Sequence, residues 1–290
     1  MSGPTGAISE FASAKVNLAL HVTGRRADGY HLLDSIVVFV AAGDRLEAGP
    51  GEDLTLELTG PRTAGVPVAG NLVLKAAAAL RLAAGKPELG ARLRLDKHLP
   101  AAAGLGGGSS DAAAALRALD RLWGLGLDSA ELVAIGAGIG ADVPVCVAAA
   151  SARVQGIGER VTPLPALPEV HLVLANPARA LATASVFAGL AEPDNPGLPE
   201  VPGRWTGVAH LVEYLRHCRN DLTAPAIAAE PEIGNVLAAL AGEPACLLAR
   251  MSGSGATCFG LFAAPADAAE AAAALVRQHP HWWVTAARTL

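Results

Sequence analysis

Four glycines fall within five residues in Gly104-Leu105-Gly106-Gly107-Gly108, and the segment that holds them, Pro100 to Ser110, runs straight into an alanine- and leucine-rich stretch. Glycines let a backbone pass close to a ligand and turn its N–H groups inward. A helix that follows offers four unpaired N–H donors and a partial positive charge in its first turn. Loop and helix start together make an anion site suited to phosphate, and Ser109 and Ser110 add hydroxyl donors. The helix is expected from about Asp111 to Trp123, with Leu116, Leu119, Leu122 and Trp123 on one face and Gly124 and Gly126 closing it. Asp111 has two readings beside a phosphate, as a cap of that helix or as a holder of a magnesium-bound water.

Two better-known glycine loops are excluded. A Walker A loop ends in Gly-Lys-Ser/Thr, whereas Gly108 is followed by Ser109 with no lysine. A dinucleotide fingerprint needs GxGxxG after a strand and an acidic residue about twenty positions on. Counted from Gly104-Leu105-Gly106, the last glycine position is off, and Asp120 lies inside the expected helix.

Composition narrows the class. Of 290 residues, 52% are hydrophobic but only 4% aromatic, because 63 are alanine. No apolar run is long and rich enough in Leu, Ile, Val or Phe to span a membrane. The net charge of −5, without a basic stripe, excludes a nucleic-acid binder, and the apolar content excludes disorder. Only four lysines (15, 75, 86, 97) stand against 18 arginines, so each lysine marks a place where a compact point charge has been kept. Cys146, Cys218, Cys246 and Cys258 show no CxxC spacing, which excludes zinc and thioredoxin-like readings and leaves buried thiols in a reducing compartment. Met1 to Glu10 lacks the basic and apolar regions of a secretory signal, so the expected location is cytoplasmic.

Strands are expected at Ala14–Val22, Ile36–Val40, Leu54–Leu58 and Leu93–Leu95, with the turn dipeptide Asp28-Gly29 between the first two. Asn71 should cap a helix running through Ala84. A second helix is expected over Ser129–Gly136, before Gly138-Ile139-Gly140. Pro163–Pro168 holds three prolines and reads as a hinge, which divides the chain into 1–163 and 164–290. Beyond it come a strand at Val170–Ala175, a four-proline loop at Glu192–Gly203, helices at Asp221–Ala229 and Ile233–Ala241, strands at Cys246–Arg250 and Cys258–Ala263, and a helix at Pro265–Gln278. Strands and helices alternate in both halves, so the class is mixed α and β.

Three further stretches carry polar groups of interest, each with a plainer alternative. Lys15 and Asn17, two apart on a strand, share a face. Alone they suit an edge strand with a wet face. Asp142 follows a glycine turn and alone suits a helix cap, while Ser252-Gly253-Ser254-Gly255 alone suits a simple turn between strands.

Together the stretches are far more specific. AKVNLALHVTGRRADGYHLLDS (14–35), KHLPAAAGLGGGSSDAAAAL (97–116), GADVPV (140–145) and MSGSGATCFG (251–260) resemble, in this order, the motifs of the GHMP kinase family, and the resemblance runs from about residue 11 to residue 287. It implies an α+β, two-domain GHMP kinase fold. The N-terminal domain, 1–163, would be a nucleotide-binding ribosomal-protein-S5-like α/β sandwich. The C-terminal domain, 164–290, would be ferredoxin-like, with the active site in the cleft between them.

The same resemblance implies that Lys15 and Asp142 form the catalytic pair. Pro100, Ala101, Ala102, Ala103, Gly104, Leu105, Gly106, Gly107, Gly108, Ser109 and Ser110 would form the ATP phosphate loop, with Asn71 and Lys97 lining the nucleotide pocket. Asn17, Tyr30, His31, Thr183 and Phe187 would contact the substrate. Gly29-Tyr30-His31 sets the chain apart from homoserine, mevalonate and galactose kinases and points to a cytidine diphosphate-linked alcohol as acceptor, Tyr30 and His31 offering a ring face and polar atoms to a pyrimidine. ATP is expected as its Mg2+ complex, with no protein ligand for the metal identified. The implied partners are these small molecules alone, with no nucleic acid and no membrane, on a monomer or weak homodimer. The rivals are another small-molecule GHMP kinase, such as homoserine kinase, and a non-catalytic nucleotide-binding member. The second has no need to retain both Lys15 and Asp142.

Overall fold

The computed structural model describes residues 6–290; Met1 to Thr5, the opening of the N-terminal stretch read above, lie outside the described residues. In chain order the elements are β1 (Ile8–Arg25), β2 (His31–Gly51), β3 (Leu54–Thr59), α1 (Leu72–Ala83), β4 (Gly90–Asp96), α2 (Gly107–Trp123), α3 (Ser129–Ala137), α4 (Val143–Ala148), β5 (Ala152–Gly156) and β6 (Arg160–Pro163). They continue with β7 (His171–Asn176), α5 (Thr183–Ala188), α6 (Val208–Arg216), α7 (Thr223–Ala229), α8 (Glu232–Gly242), β8 (Leu248–Met251), β9 (Cys258–Phe262), α9 (Pro265–Gln278) and β10 (Trp283–Arg288). Two compact units interleave along the sequence: one takes residues up to Ala14, Gly43–Ala101 and Gly106–Ala149, the other Lys15–Ala42, Ala102–Leu105 and Ala150–Leu290.

In the first unit, β4 pairs antiparallel with the far end of β2, from Arg45↔Asp96 to Gly51↔Gly90, and parallel with β3, from Leu54↔Ala91 to Thr59↔Asp96. Helix α1 packs on α2, and α2 on α4. Ala112 to Ala115 are completely buried. Methyl side chains let α2 sit close to its neighbours without rotamers to freeze. The alanine excess of the composition is therefore partly structural.

In the second unit, the first part of β2 pairs antiparallel with β5, from Leu33↔Gly156 to Val37↔Ala152, and β5 with β6. A separate antiparallel sheet has the order β10-β7-β9-β8. Its core gathers Val22, Val173, Val186, Ile233, Val236, Phe262 and Leu275, all fully buried. The mixed α and β class is as expected. The first two strands are much longer than their apolar centres, because β1 and β2 continue into stretches exposed on one side.

The loop Glu192–Gly203 is tied down along its length. Asn195 N–H donates to Val22 O (3.1 Å), Leu198 N–H to Asp34 Oδ2 (3.0 Å) and Tyr214 Oη–H to Pro199 O (3.1 Å). Fully buried His21 joins in: Nε2 accepts from Arg219 N–H at 3.0 Å, which places the proton on Nδ1, 3.1 Å from Pro196 O. Burial pulls the imidazole below the ordinary histidine range, against the pull of the Pro196 carbonyl. The unfolded chain then binds more protons than the folded one between the lowered folded value and about 6.5, so stability is complete above that window and falls as pH drops through it. Urea unfolding at pH 7.5 and 5.5 should show lower stability at 5.5, with a contribution of at most about 1.4 kcal/mol per pH unit that His21→Gln removes. Equal dependence in both proteins would refute the role.

Candidate active site

The glycine-rich segment enters its helix earlier than expected. Gly106 takes a left-handed conformation (φ 62°, ψ 18°), and α2 begins at Gly107, not at Asp111. Ser110 N–H closes the first helical bond onto Gly106 O at 2.8 Å. Gly107 to Ser109 therefore supply the free first-turn amides, despite the poor helix propensity of glycine. Asp111, the fifth residue of α2, is buried and does not cap it.

The preceding residues hang from the turn after β8. Thr257 N–H donates to Ala103 O (3.1 Å), Ser252 Oγ–H to Gly104 O (2.9 Å) and Lys15 N–H to Leu105 O (2.9 Å). Ser252 Oγ also accepts from Asn17 N–H at 3.1 Å, so one hydroxyl joins the glycine segment to β1. The second glycine stretch is thus a buttress, more than a plain turn. Gly104 has φ +73°, and a Cβ there would lie 2.4 Å from Ser252 O. Gly104→Ala should therefore lower stability by roughly 2–4 kcal/mol and abolish nucleotide binding, measurable by denaturant unfolding and ADP titration. A fully stable, ADP-binding variant would contradict this.

Within β1, Lys15 and Asn17 are buried together with Val16 and Leu18, so they do not form a wet edge. Asn17 Nδ2 donates to Ser35 Oγ (2.7 Å), which donates to Ala19 O, while Asn17 Oδ1 lacks a partner among the described residues. Asp142 stands at the N-cap position of α4 with helical backbone angles, and its side chain makes no capping bond to that helix. Position follows the plainer reading given above, but the bond that would justify it is missing. Arg117 of α2 holds the other end of α4 through Cys146 O (3.1 Å).

His31, the first residue of β2, stacks on Phe187 of α5 at 4.9 Å between ring centroids and 24° between planes. Burial, then Arg25, lowers the imidazole's pKa. Thr183 lies one turn before Phe187 on the same face of α5, with its Oγ1 2.9 Å from Ser254 Oγ. The structure thus brings together His31, Phe187 and Thr183 with the glycine turn. Tyr30 is 63% exposed, and among the described residues it is held through its backbone, including N–H to Asp28 Oδ1 at 3.3 Å. Asn71 caps α1 as expected, Oδ1 accepting from Val73 N–H and Nδ2 donating to Pro67 O, both 3.0 Å. Lys97 is buried between Asp111 and Asp44, and of these two carboxylates sequence reasoning passed over Asp44 altogether. Asp44, between Gly43 and Arg45 in β2, offered no sequence signal of its own. Cys146, Cys218 and Cys258 are buried, while Cys246 is half-buried where full burial was expected.

No helix among the described residues is long and apolar enough to cross a membrane. The family model "GHMP kinases N terminal domain" matches residues 71–150, and "GHMP kinases C terminal" matches 208–281. A 4-diphosphocytidyl-2-C-methyl-D-erythritol kinase from Cereibacter sphaeroides is 57% identical over 281 residues, covering 96% of this chain and 98% of the relative. A crystal structure of a 4-(cytidine 5'-diphospho)-2C-methyl-D-erythritol kinase superposes with a TM-score of 0.79 at 35% identity, covering 97% of this chain and 99% of that one. A homoserine kinase from Cytophaga hutchinsonii shares the fold alone, with a TM-score of 0.71 at 16% identity over 100% of this chain and 96% of its own. A chain matched by both family models, and more than half identical to a relative along nearly its whole length, belongs to the GHMP kinase family, among its 4-diphosphocytidyl-2-C-methyl-D-erythritol kinases.

Proposed function

We propose that the chain transfers the γ-phosphate of ATP to the 2-hydroxyl of 4-diphosphocytidyl-2-C-methyl-D-erythritol, a step toward isoprenoid precursors. The observation that carries this reading is the 57% identity, over 96% of the chain, to a relative bearing that name. Phosphoryl transfer of this kind depends on in-line positioning and charge neutralisation more than on covalent help. Pro100 to Ser110 would cradle the triphosphate, with Asn71 and Lys97 beside the nucleotide. Lys15 would neutralise charge on the γ-phosphate. Asp142 would orient the attacking hydroxyl and accept its proton late in the step, positioning dominating because a carboxylate is a weak base toward an alcohol.

Asn17, Tyr30, His31, Thr183 and Phe187 would hold the acceptor. The stacked rings of His31 and Phe187 suit a pyrimidine, and the partnerless Oδ1 of Asn17 suits a hydroxyl donor. Among the described residues no three His, Cys, Asp or Glu side chains gather as a metal cage. Mg2+ commonly takes much of its coordination from phosphates and water, so it would enter as the ATP complex and neutralise phosphate charge when bound. The working division would be 1–163 and 164–290, a boundary that lies between the two family-model matches. A cytoplasmic monomer or weak homodimer completes the reading. ADP release measured with the cytidine diphosphate acceptor, homoserine and mevalonate should show turnover with the first alone. Faster turnover with either of the others would overturn the assignment.

A further inference from the structure

Asp44, Lys97 and Asp111 form a buried cluster, each at most 4% exposed. Asp44 Oδ1 accepts from the N–H groups of His98 (2.6 Å) and Leu99 (2.9 Å), the two residues before Pro100. Its Oδ2 accepts from Lys97 Nζ, and the same ammonium donates to Asp111 Oδ2 at 2.7 Å. One polar path therefore joins the entry of the glycine-rich segment to α2, just beyond its exit. Gly107 lies directly over it: a Cβ there would meet Leu99 Cδ1 at 3.6 Å, Lys97 Nζ at 3.8 Å and Asp44 Oδ2 at 3.9 Å. The lysine's charge is already answered by two carboxylates, so little of it remains for a phosphate. A buried ion triad is weak as a source of stability, since apolar residues of equal volume often replace one without loss. What apolar residues cannot do is bind the two N–H groups and tie them to a helix.

We propose that the Asp44–Lys97–Asp111 cluster is a positioning clamp that fixes both ends of the glycine-rich segment, so that its amides are held in place before a nucleoside triphosphate arrives. The ligand in this proposal rests on the nucleotide reading above; the clamp itself does not. Burial pushes Asp111 up to about 7, Lys97 opposing and Asp44 adding to the rise. An amide in place of that carboxyl keeps its shape and an acceptor oxygen for Lys97. Asp111→Asn should therefore be tolerated. Asp111→Ala cuts the tie but leaves Lys97 and Asp44 as a neutral pair, with no uncompensated charge.

Two readouts test the clamp in the full-length protein. Without nucleotide, hydrogen exchange of the His98, Leu99 and Ser110 amides, which are hydrogen-bonded at the two ends of the segment, should quicken at least tenfold in Asp111→Ala and stay within threefold of the parent in Asp111→Asn. ADP affinity by calorimetry should fall at least tenfold in Asp111→Ala and recover in Asp111→Asn. Exchange unchanged in Asp111→Ala, or quickened equally throughout the protein, overturns the clamp. If the parent protein binds no ADP while exchange responds as expected, the clamp stands and the nucleotide reading falls. Should Asp111→Ala fail to fold, Asp111→Ser, whose hydroxyl is too short to reach Lys97, gives the same readouts.

Discussion

A Lys15→Met variant is expected to fold normally and to turn over roughly 10³-fold more slowly than the native chain. Lys15 is 6% exposed in the middle of β1, so the substituted side chain must fill the same buried space, and methionine matches its length. Replacing a buried charge by an apolar group of similar volume carries little stability cost when its partner is not stranded in the interior. The charge is another matter. A cation about 4 Å from a phosphate oxygen, at an effective dielectric near 20, contributes about 4 kcal/mol, and about 1.4 kcal/mol is tenfold in rate. The loss should fall on kcat, because charge shifts toward the leaving phosphate oxygen as the γ-phosphoryl group transfers. A coupled ADP-release assay beside a thermal melt decides it. Turnover within tenfold of the parent, with an unchanged melt, would remove Lys15 from the chemistry.

Asp142→Asn should reduce kcat by roughly 10²–10⁴-fold while leaving both KM values within about threefold. Asparagine keeps the shape of the side chain and is as good as aspartate at an N-cap position. Because shape and capping ability are both kept, the melting temperature should stay put. The change therefore isolates negative charge and proton acceptance. A drop in kcat accompanied by a proportionate fall in stability would instead mark Asp142 as a structural residue.

The parts of the fold that were legible in the sequence are those governed by local rules. Asn71 was readable as a cap because its side chain serves the helix that directly follows it, and α9 was readable from Pro265 to Gln278 because proline opens it and an unbroken run of helix formers follows. The glycine segment was readable as a turn leading into a helix, but its junction with α2 was not. Helical backbone at Gly107 and Gly108 is imposed by packing over Leu99 and Leu72, contacts remote in sequence. Helix α4 was hidden because a short glycine-led segment with a proline at its second position reads equally as a turn. Strand β10 went unread for a different reason: half-exposed and rich in alanine, it takes its order from β7, more than a hundred residues away. Lys15, Asp142 and the serines announced themselves through motif spacing. Asp44, by contrast, has meaning only once His98, Leu99 and Lys97 are folded around it.

The four consecutive buried alanines of α2 have a mechanical consequence. A helix wedged in place by methyl groups has no side chains that can swing aside, so it moves as a whole or hardly at all. The first-turn amides that α2 offers at Gly107 to Ser109 are therefore carried on a support that keeps their aim without any side chain having to hold still.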